Sequence, residues 1–198
     1  MLKITVKELG IYFVNCYLIH EESSKSCVAI DPGGNANKVI AFLEENGLTL
    51  EAILLTHGHF DHVGAVKDLF EQTQCKVYIH TDDLLLPEKF TAGPLFYTHE
   101  YGEGDVLEMA GLTIHVMHTP GHTEGSVCLF VDDCIFAGDT LFCHSCGRTD
   151  LPGGNPDALM ASLARLKSLE GDYRVFPGHN RATTLAVERE YNPFMKKV

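Results

Sequence analysis

The 198-residue sequence is poor in the features that would direct it to a membrane or to nucleic acid. No stretch approaches the ~20 consecutive apolar residues that a membrane-spanning helix requires. The opening segment Met1-Leu2-Lys3-Ile4-Thr5-Val6 has no basic stretch followed by a long apolar run, so no secretory signal is expected and the cytoplasm is the expected location. Basic residues are scarce: 15 Lys and Arg stand against 27 Asp and Glu, a formal charge of −12. That balance excludes a general nucleic-acid binder and a binder of anionic membranes. It also means that an anionic small molecule needs a local basic patch. Seven cysteines is an odd number, and most of them fall in apolar segments, which fits reduced thiols better than a disulfide framework. Repeats, low-complexity tracts and linkers are missing too. With 45% apolar and 21% charged residues, the chain reads as one globular domain over residues 1–198.

What the chain does contain in excess is histidine, eleven in all. The apolar run 52–55 reads as a buried strand, and four potential metal ligands follow it within six residues: His57, His59, Asp61 and His62. An amphipathic run begins at Val63, so the stretch reads as a strand, a ligand-bearing loop and a helix reaching about Thr73. His57 and His59, two apart, face the same way in an extended segment. Asp61 and His62 are adjacent and point differently, which suits two neighbouring metals better than one.

Around this stretch the periodicity predicts strands at 4–6, 16–19, 27–30, 76–80, 112–117, 127–131, 135–137 and 173–176. Helices are expected from an Asn35 cap to about Glu45, closed by Asn46-Gly47, and over 157–169 and 184–191. Residues 82–104 carry no clear period. Ligand-bearing loops recur at Thr119-Pro120-Gly121-His122-Thr123, at Gly138-Asp139-Thr140 and at Pro177-Gly178-His179-Asn180, each after an apolar strand. Gly147-Arg148-Thr149-Asp150 is a further such segment. A strand-and-ligand-loop unit in each half suggests two sheets packed face to face with helices outside. Imidazole and carboxylate without thiolate suit zinc, iron or manganese.

These residues resemble the metallo-β-lactamase-fold superfamily, whose mark is His-x-His-x-Asp-His, here His57 to His62. Within it the chain is similar to glyoxalase II-like hydrolases of the short single-domain bacterial type. Thr119 to Ser126, Gly138 to Phe142, Gly147 to Asp150, Pro177 to His179 and Glu190 to Pro193 carry that likeness. The resemblance implies an α/β fold, an αββα four-layer sandwich of two mixed sheets with helices on the outer faces. It places one metal on His57, His59 and His122 and a second on Asp61, His62 and His179, with Asp139 bridging. The implied cofactors are two divalent metal ions, zinc first, with iron or manganese as alternatives. Metals ~3.5–4 Å apart share a hydroxide that attacks a carbonyl carbon, and Asp61 is expected to orient it.

The implied reaction is hydrolysis of a thioester such as S-lactoylglutathione to a hydroxy acid and a free thiol. The partner is therefore a small-molecule thioester, a glutathione conjugate among the candidates. Arg148 stands where those enzymes have a Lys, and Arg181 where they have a Tyr; the two are candidates for the basic patch. For Arg148 the competing reading is a brace against Asp150. The alternative activity is a persulfide dioxygenase using a single iron on His57, His122 and Asp139, and a further one is lactone or phosphodiester hydrolysis. β-Lactam hydrolysis is disfavoured by the lack of a signal peptide. Cys143 and Cys146 form a C-x-x-C without the second pair a structural zinc site wants.

Overall fold

The computed structural model describes residues 1–91 and 93–198. Its first sheet is built from β1 (Leu2–Leu9), β2 (Val14–Glu21), β3 (Ser26–Ile30), β4 (Thr49–Leu54), β5 (Lys76–His80) and β6 (His99–Tyr101), in that spatial order. The second sheet holds β7 (Val106–Met109), β8 (Leu112–His118), β9 (Val127–Val131), β10 (Cys134–Gly138), β13 (Arg174–Pro177) and β14 (Thr183–Thr184). Its spatial order is β14-β13-β10-β9-β8-β7. A small ribbon, β11 (Leu141–Phe142) with β12 (Ser145–Cys146), lies between β10 and β13 in sequence. Helices α1 (Ala36–Asn46), α2 (Phe60–Val63), α3 (Val66–Thr73) and α4 (Glu88–Thr91) belong to the first half, α5 (Pro156–Lys167) and α6 (Leu185–Tyr191) to the second.

The layering follows from the alternation of side chains along the strands. In β2, Cys16 and Leu18 join a core with Val39, Phe42, Val66 and Leu69 of α1 and α3. Tyr17 and Ile19 face the other way, into a core shared with Ile114, Val116, Leu129 and Phe136 of the second sheet. In β9 the split repeats: Val127 and Leu129 point between the sheets, while Cys128 packs with Leu159, Leu163, Leu166 and Leu185 of α5 and α6. Three stacked cores make four layers, helix–sheet–sheet–helix. Strands buried on both faces must be apolar throughout, which is why they read as runs and not as alternations.

Both sheets are mixed: β3, β4, β5 and β6 run parallel, as do β10 and β13, and the remaining pairs are antiparallel. The carboxyl ends of β3, β4, β8, β10 and β13 therefore converge on one rim. Ligand loops sit at such rims because the sheet holds them and the loop backbone stays accessible.

Several local expectations are corrected. Asn35 does not cap α1: its backbone is left-handed (φ 51°), and its side-chain Oδ1 instead accepts from the Gly10 amide at 3.0 Å. The helix expected through Thr73 is broken into α2 and α3 at Gly64-Ala65, because the Ala65 amide donates to the Pro32 carbonyl at 2.9 Å. Residues 82–104 hold a 3-10 turn (Thr81–Leu85), α4 and β6, all too short to show a period. Strands β7 and β14 and the β11–β12 ribbon were likewise not expected.

Gly33 shows how tightly the rim is packed. A Cβ there would lie 1.7 Å from the Asp61 carbonyl oxygen and 2.3 Å from Val14. Gly33→Ala is expected to cost about 1–3 kcal/mol through overpacking and to displace the Asp61 loop. Thermal melting checks this; an unchanged Tm would refute it.

Candidate metal centre

The seven histidines and aspartates expected as ligands come together at the rim. His57, His59 and His122 hold ligand atoms within 4.8 Å of one another, and so do Asp61, His62 and His179. Asp139 lies between these trios: its Oδ1 is 3.4 Å from His62 Nε2, and its Oδ2 is 3.6 Å from His122 Nε2 and 3.8 Å from His179 Nε2. Asp61 Oδ2 is 3.3 Å from His179 Nε2. His57, His59, His62 and His122 are buried, while Asp61 and His179 keep partial exposure.

Hydrogen bonds from outside aim the rings. His122 Nδ1 faces the Arg148 carbonyl at 2.8 Å, which can only accept, so the proton sits on Nδ1 and the Nε2 lone pair points inward. His62 Nδ1 donates to Asp31 Oδ2 at 3.0 Å. The Thr56 hydroxyl donates to the same oxygen at 2.6 Å, which leaves it to accept from His57 Nδ1 at 3.2 Å. Asp31 Oδ1 accepts from the Thr56 amide at 2.7 Å. Asp83, fully buried, ties two ligand loops together: it accepts from Gly58 N (2.6 Å), Gly125 N (2.7 Å) and the Thr123 hydroxyl (3.0 Å). Burial raises its pKa although those donors pull the other way. Gly178 lets the last loop approach, since a Cβ there would meet Asp139 Oδ1 at 2.4 Å and His62 Cε1 at 2.7 Å.

Among the described residues, three buried side-chain polar atoms have no hydrogen-bond partner: His57 Nε2, His59 Nε2 and Asp139 Oδ1. All three belong to this centre. Buried polar groups are otherwise satisfied in folded proteins, so unpartnered nitrogen and oxygen atoms gathered on these ligands, with His59 Nδ1 turned toward His122 Nε2 at 2.9 Å, fit a cation. The set contains no sulfur, as suits zinc, iron or manganese.

Electrostatics separates the two trios. Burial, aided by the neighbouring imidazoles, drives the His57 pKa well down and that of His59 to about 4. Burial would lower His62 as well, but the carboxylates of Asp139, Asp31 and Asp61 prevail and raise it to about 9. Asp61 is pushed up by burial yet ends at about 2, because the His179 hydrogen bond and the charge of His62 dominate.

The arginines stand apart from the ligands. Arg148 makes a bidentate pair with Asp150, Nε to Oδ1 at 2.7 Å and Nη2 to Oδ2 at 2.8 Å. Its guanidinium charge is thus matched, and its contribution to the centre is the backbone carbonyl on His122. Arg181 Nε donates to Cys143 Sγ at 3.2 Å. Asp31, Thr56 and Asp83 escaped the sequence reading. Asp31 has a signal, a carboxylate at the end of the apolar strand 27–30; Asp83, in the stretch without a clear period, has none.

The family model of the metallo-beta-lactamase superfamily matches residues 9–179. The chain belongs to this superfamily. It is 35% identical to the hydroxyacylglutathione hydrolase GloC of Haemophilus influenzae, over 91% of this chain and 92% of that protein. The crystal structure of the BLEG-1 B3 metallo-beta-lactamase superposes with a TM-score of 0.87 at 36% identity, covering 98% of this chain and 99% of that one. TTHA1623 in a di-iron-bound form gives a TM-score of 0.85 at 41% identity, covering 96% and 99%. The chain is accordingly a metallo-hydrolase of this superfamily, with the αββα fold and with histidine and aspartate clusters for divalent metal.

Two outcomes follow from the geometry. Asp31→Asn replaces an acceptor of His62 Nδ1 and Thr56 by a donor, and is expected to weaken metal affinity roughly 10–100-fold with the fold retained, as read by competition with a chelator. At pH 7 the metal-free protein carries its extra proton on His62, whereas His57 and His59 are neutral. Loading the Asp61–His62–His179 trio is therefore expected to release about one proton, and its affinity to rise with pH up to about 9. Calorimetric titration in two buffers of different ionisation enthalpy measures this; zero release would refute the assignment.

Proposed function

We propose that the protein is a two-metal thioester hydrolase acting on an S-acyl conjugate of an anionic thiol, with S-lactoylglutathione as the test substrate. The observation that carries this reading is the Asp139 carboxylate, which presents one oxygen to His62 and the other to His122 and His179. A single iron on His57, His122 and Asp139 would use only three of the seven donors that converge here. In the proposed assignment His57, His59 and His122 would hold one metal, Asp61, His62 and His179 the other, and Asp139 would serve both. Zinc is the first choice, with iron supported by the di-iron relative.

Bound there, the metals would supply a water activated near neutral pH and polarisation of the substrate carbonyl. The chain's own groups do the rest. Asp61, an ionised carboxylate at the partly exposed edge of the centre, can orient a water molecule by accepting a hydrogen bond from it. Asp31 and the Arg148 carbonyl keep His62 and His122 in one tautomer. With Arg148 matched by Asp150, Arg181, two residues beyond His179, is the guanidinium left for an anionic thiol carrier. The likeness to a hydroxyacylglutathione hydrolase supports the substrate class. The seven free thiols fit a reducing compartment such as the cytoplasm.

The test is thiol release from S-lactoylglutathione by metal-replete protein with dissolved oxygen monitored, beside parallel reactions with glutathione persulfide and with a β-lactam. Thiol release without oxygen uptake is expected. Asp61→Asn is expected to lower kcat by about 10²–10⁴, with metal content measured on the same sample. Oxygen uptake with the persulfide and no thiol release would instead assign the site to a single iron. Turnover of the β-lactam alone would discard the thioester reading.

A further inference from the structure

Two further groups of donor side chains lie outside the metal centre, among the described residues. In one, His80 and His118 stack nearly parallel, 4.2 Å apart at 10°, beside the exposed Asp82. Parallel rings send their lone pairs side by side and not onto a common point. The other group, Cys143, His144 and Glu188, is better built. Leu141 pairs with Cys146 and Phe142 with Ser145, so Cys143 and His144 form the turn between β11 and β12. That turn is fastened to the start of the C-terminal region: the His144 amide donates to Glu188 Oε2 at 2.8 Å, and Asn192 Nδ2 donates to the Ser145 carbonyl at 2.9 Å.

Glu188 is fully buried on α6. Its oxygens accept from the Thr183 hydroxyl at 2.7 Å, from Asn192 Nδ2 at 2.8 Å and from the His144 amide. All three are neutral donors, which solvate a carboxylate without cancelling its charge, and a buried charge is costly unless a cation faces it. The His144 ring stands 3.9 Å from Glu188 Oε1 through Nδ1, and the ligand atoms of Cys143, His144 and Glu188 lie within 4.8 Å of one another. The cation now against the cluster is Arg181, whose Nε donates to Cys143 Sγ at 3.2 Å. The His144 side chain is 43% exposed, so an ion can enter and keep a water as fourth partner.

We propose that Cys143, His144 and Glu188 form a third metal site, selective for a thiophilic divalent cation of the zinc class, and that Arg181 is the counter-charge which that cation displaces. Sulfur, imidazole nitrogen and carboxylate oxygen are the donors such ions combine, whereas magnesium and calcium avoid sulfur. On binding, Cys143 gives its thiol proton to solvent, the sulfur–metal bond forms, and the Arg181 hydrogen bond to sulfur breaks. The site uses none of the seven residues of the catalytic centre. Although Arg181 figures in both readings, the test reads metal binding and not turnover, so its failure is distinguishable from that of the substrate assignment.

Cobalt(II) titrated into the metal-free protein tests it, because the seven ligands of the main centre include no sulfur. A thiolate-to-cobalt charge-transfer band therefore reports on this site alone, even as cobalt fills the main centre. We expect a saturable band with the intensity of one thiolate-bound cobalt in the wild type, unchanged in Cys146→Ser and absent in Cys143→Ser. His144→Ala should weaken cobalt binding at least tenfold, and Arg181→Gln should tighten it severalfold by removing the competing charge. Circular dichroism confirms that each variant is folded. No band in the wild type at millimolar cobalt, a band that survives Cys143→Ser, or an unaltered affinity in His144→Ala would overturn the proposal. A band lost with Cys146→Ser would assign it to a two-cysteine site and overturn it equally.

Discussion

The structure depends on holding seven polar side chains together at one buried rim, where the attraction of His62 for the carboxylates is set against burial and the crowding of imidazole on imidazole. Five imidazoles and two carboxylates face a common centre, and three of their atoms are buried without partners. Leaving one buried polar atom unsatisfied costs about 1–3 kcal/mol, so the arrangement opposes folding until a cation compensates it. What keeps it in place lies outside the ring of donors. Asp31 takes hydrogen bonds from His62 and Thr56, Asp83 from Gly58, Gly125 and Thr123, and the Arg148 carbonyl from His122. Each contact uses the far side of a ligand or of its loop, which leaves the near side free for metal.

Those outer contacts work because the two sheets cannot slide. Asn15 Nδ2 and the Tyr17 hydroxyl, both on β2, donate to the Pro177 carbonyl at the end of β13, at 3.0 and 2.6 Å. The Asn15 amide also donates to the Gly178 carbonyl at 2.7 Å. Burial raises the Tyr17 pKa, so the phenol remains a donor at any physiological pH. The first sheet thereby grips the loop that carries His179, and the apolar layer between the sheets transmits that rigidity to the other ligand loops. Ligand loops on separate sheets behave as one centre for this reason.

The local chemistry of the ligands was legible because each one follows an apolar strand and sits among glycines or prolines, a signal confined to a few adjacent residues. Strand positions were legible for a similar reason: burial on both faces leaves an unbroken apolar run. Boundaries failed where a distant group intervened. Gly10 claims the Asn35 side chain, and Pro32 claims the Ala65 amide. Residues 82–104 were unreadable because their elements are shorter than any period, and so Asp83 stayed hidden.

By itself the sequence determined which donors are present, their order and spacing, and hence the superfamily and the layered fold, since these are carried by local patterns of burial and turn chemistry. Only the tertiary structure decided that Asp139 faces both trios, that Asp31 and Asp83 brace the ligand loops, and that Arg148 is neutralised by Asp150 while Arg181 rests on Cys143. Those facts are relations between side chains brought together from separate strands. Short-range side-chain forces act on distance in space, and spacing along the chain does not encode it.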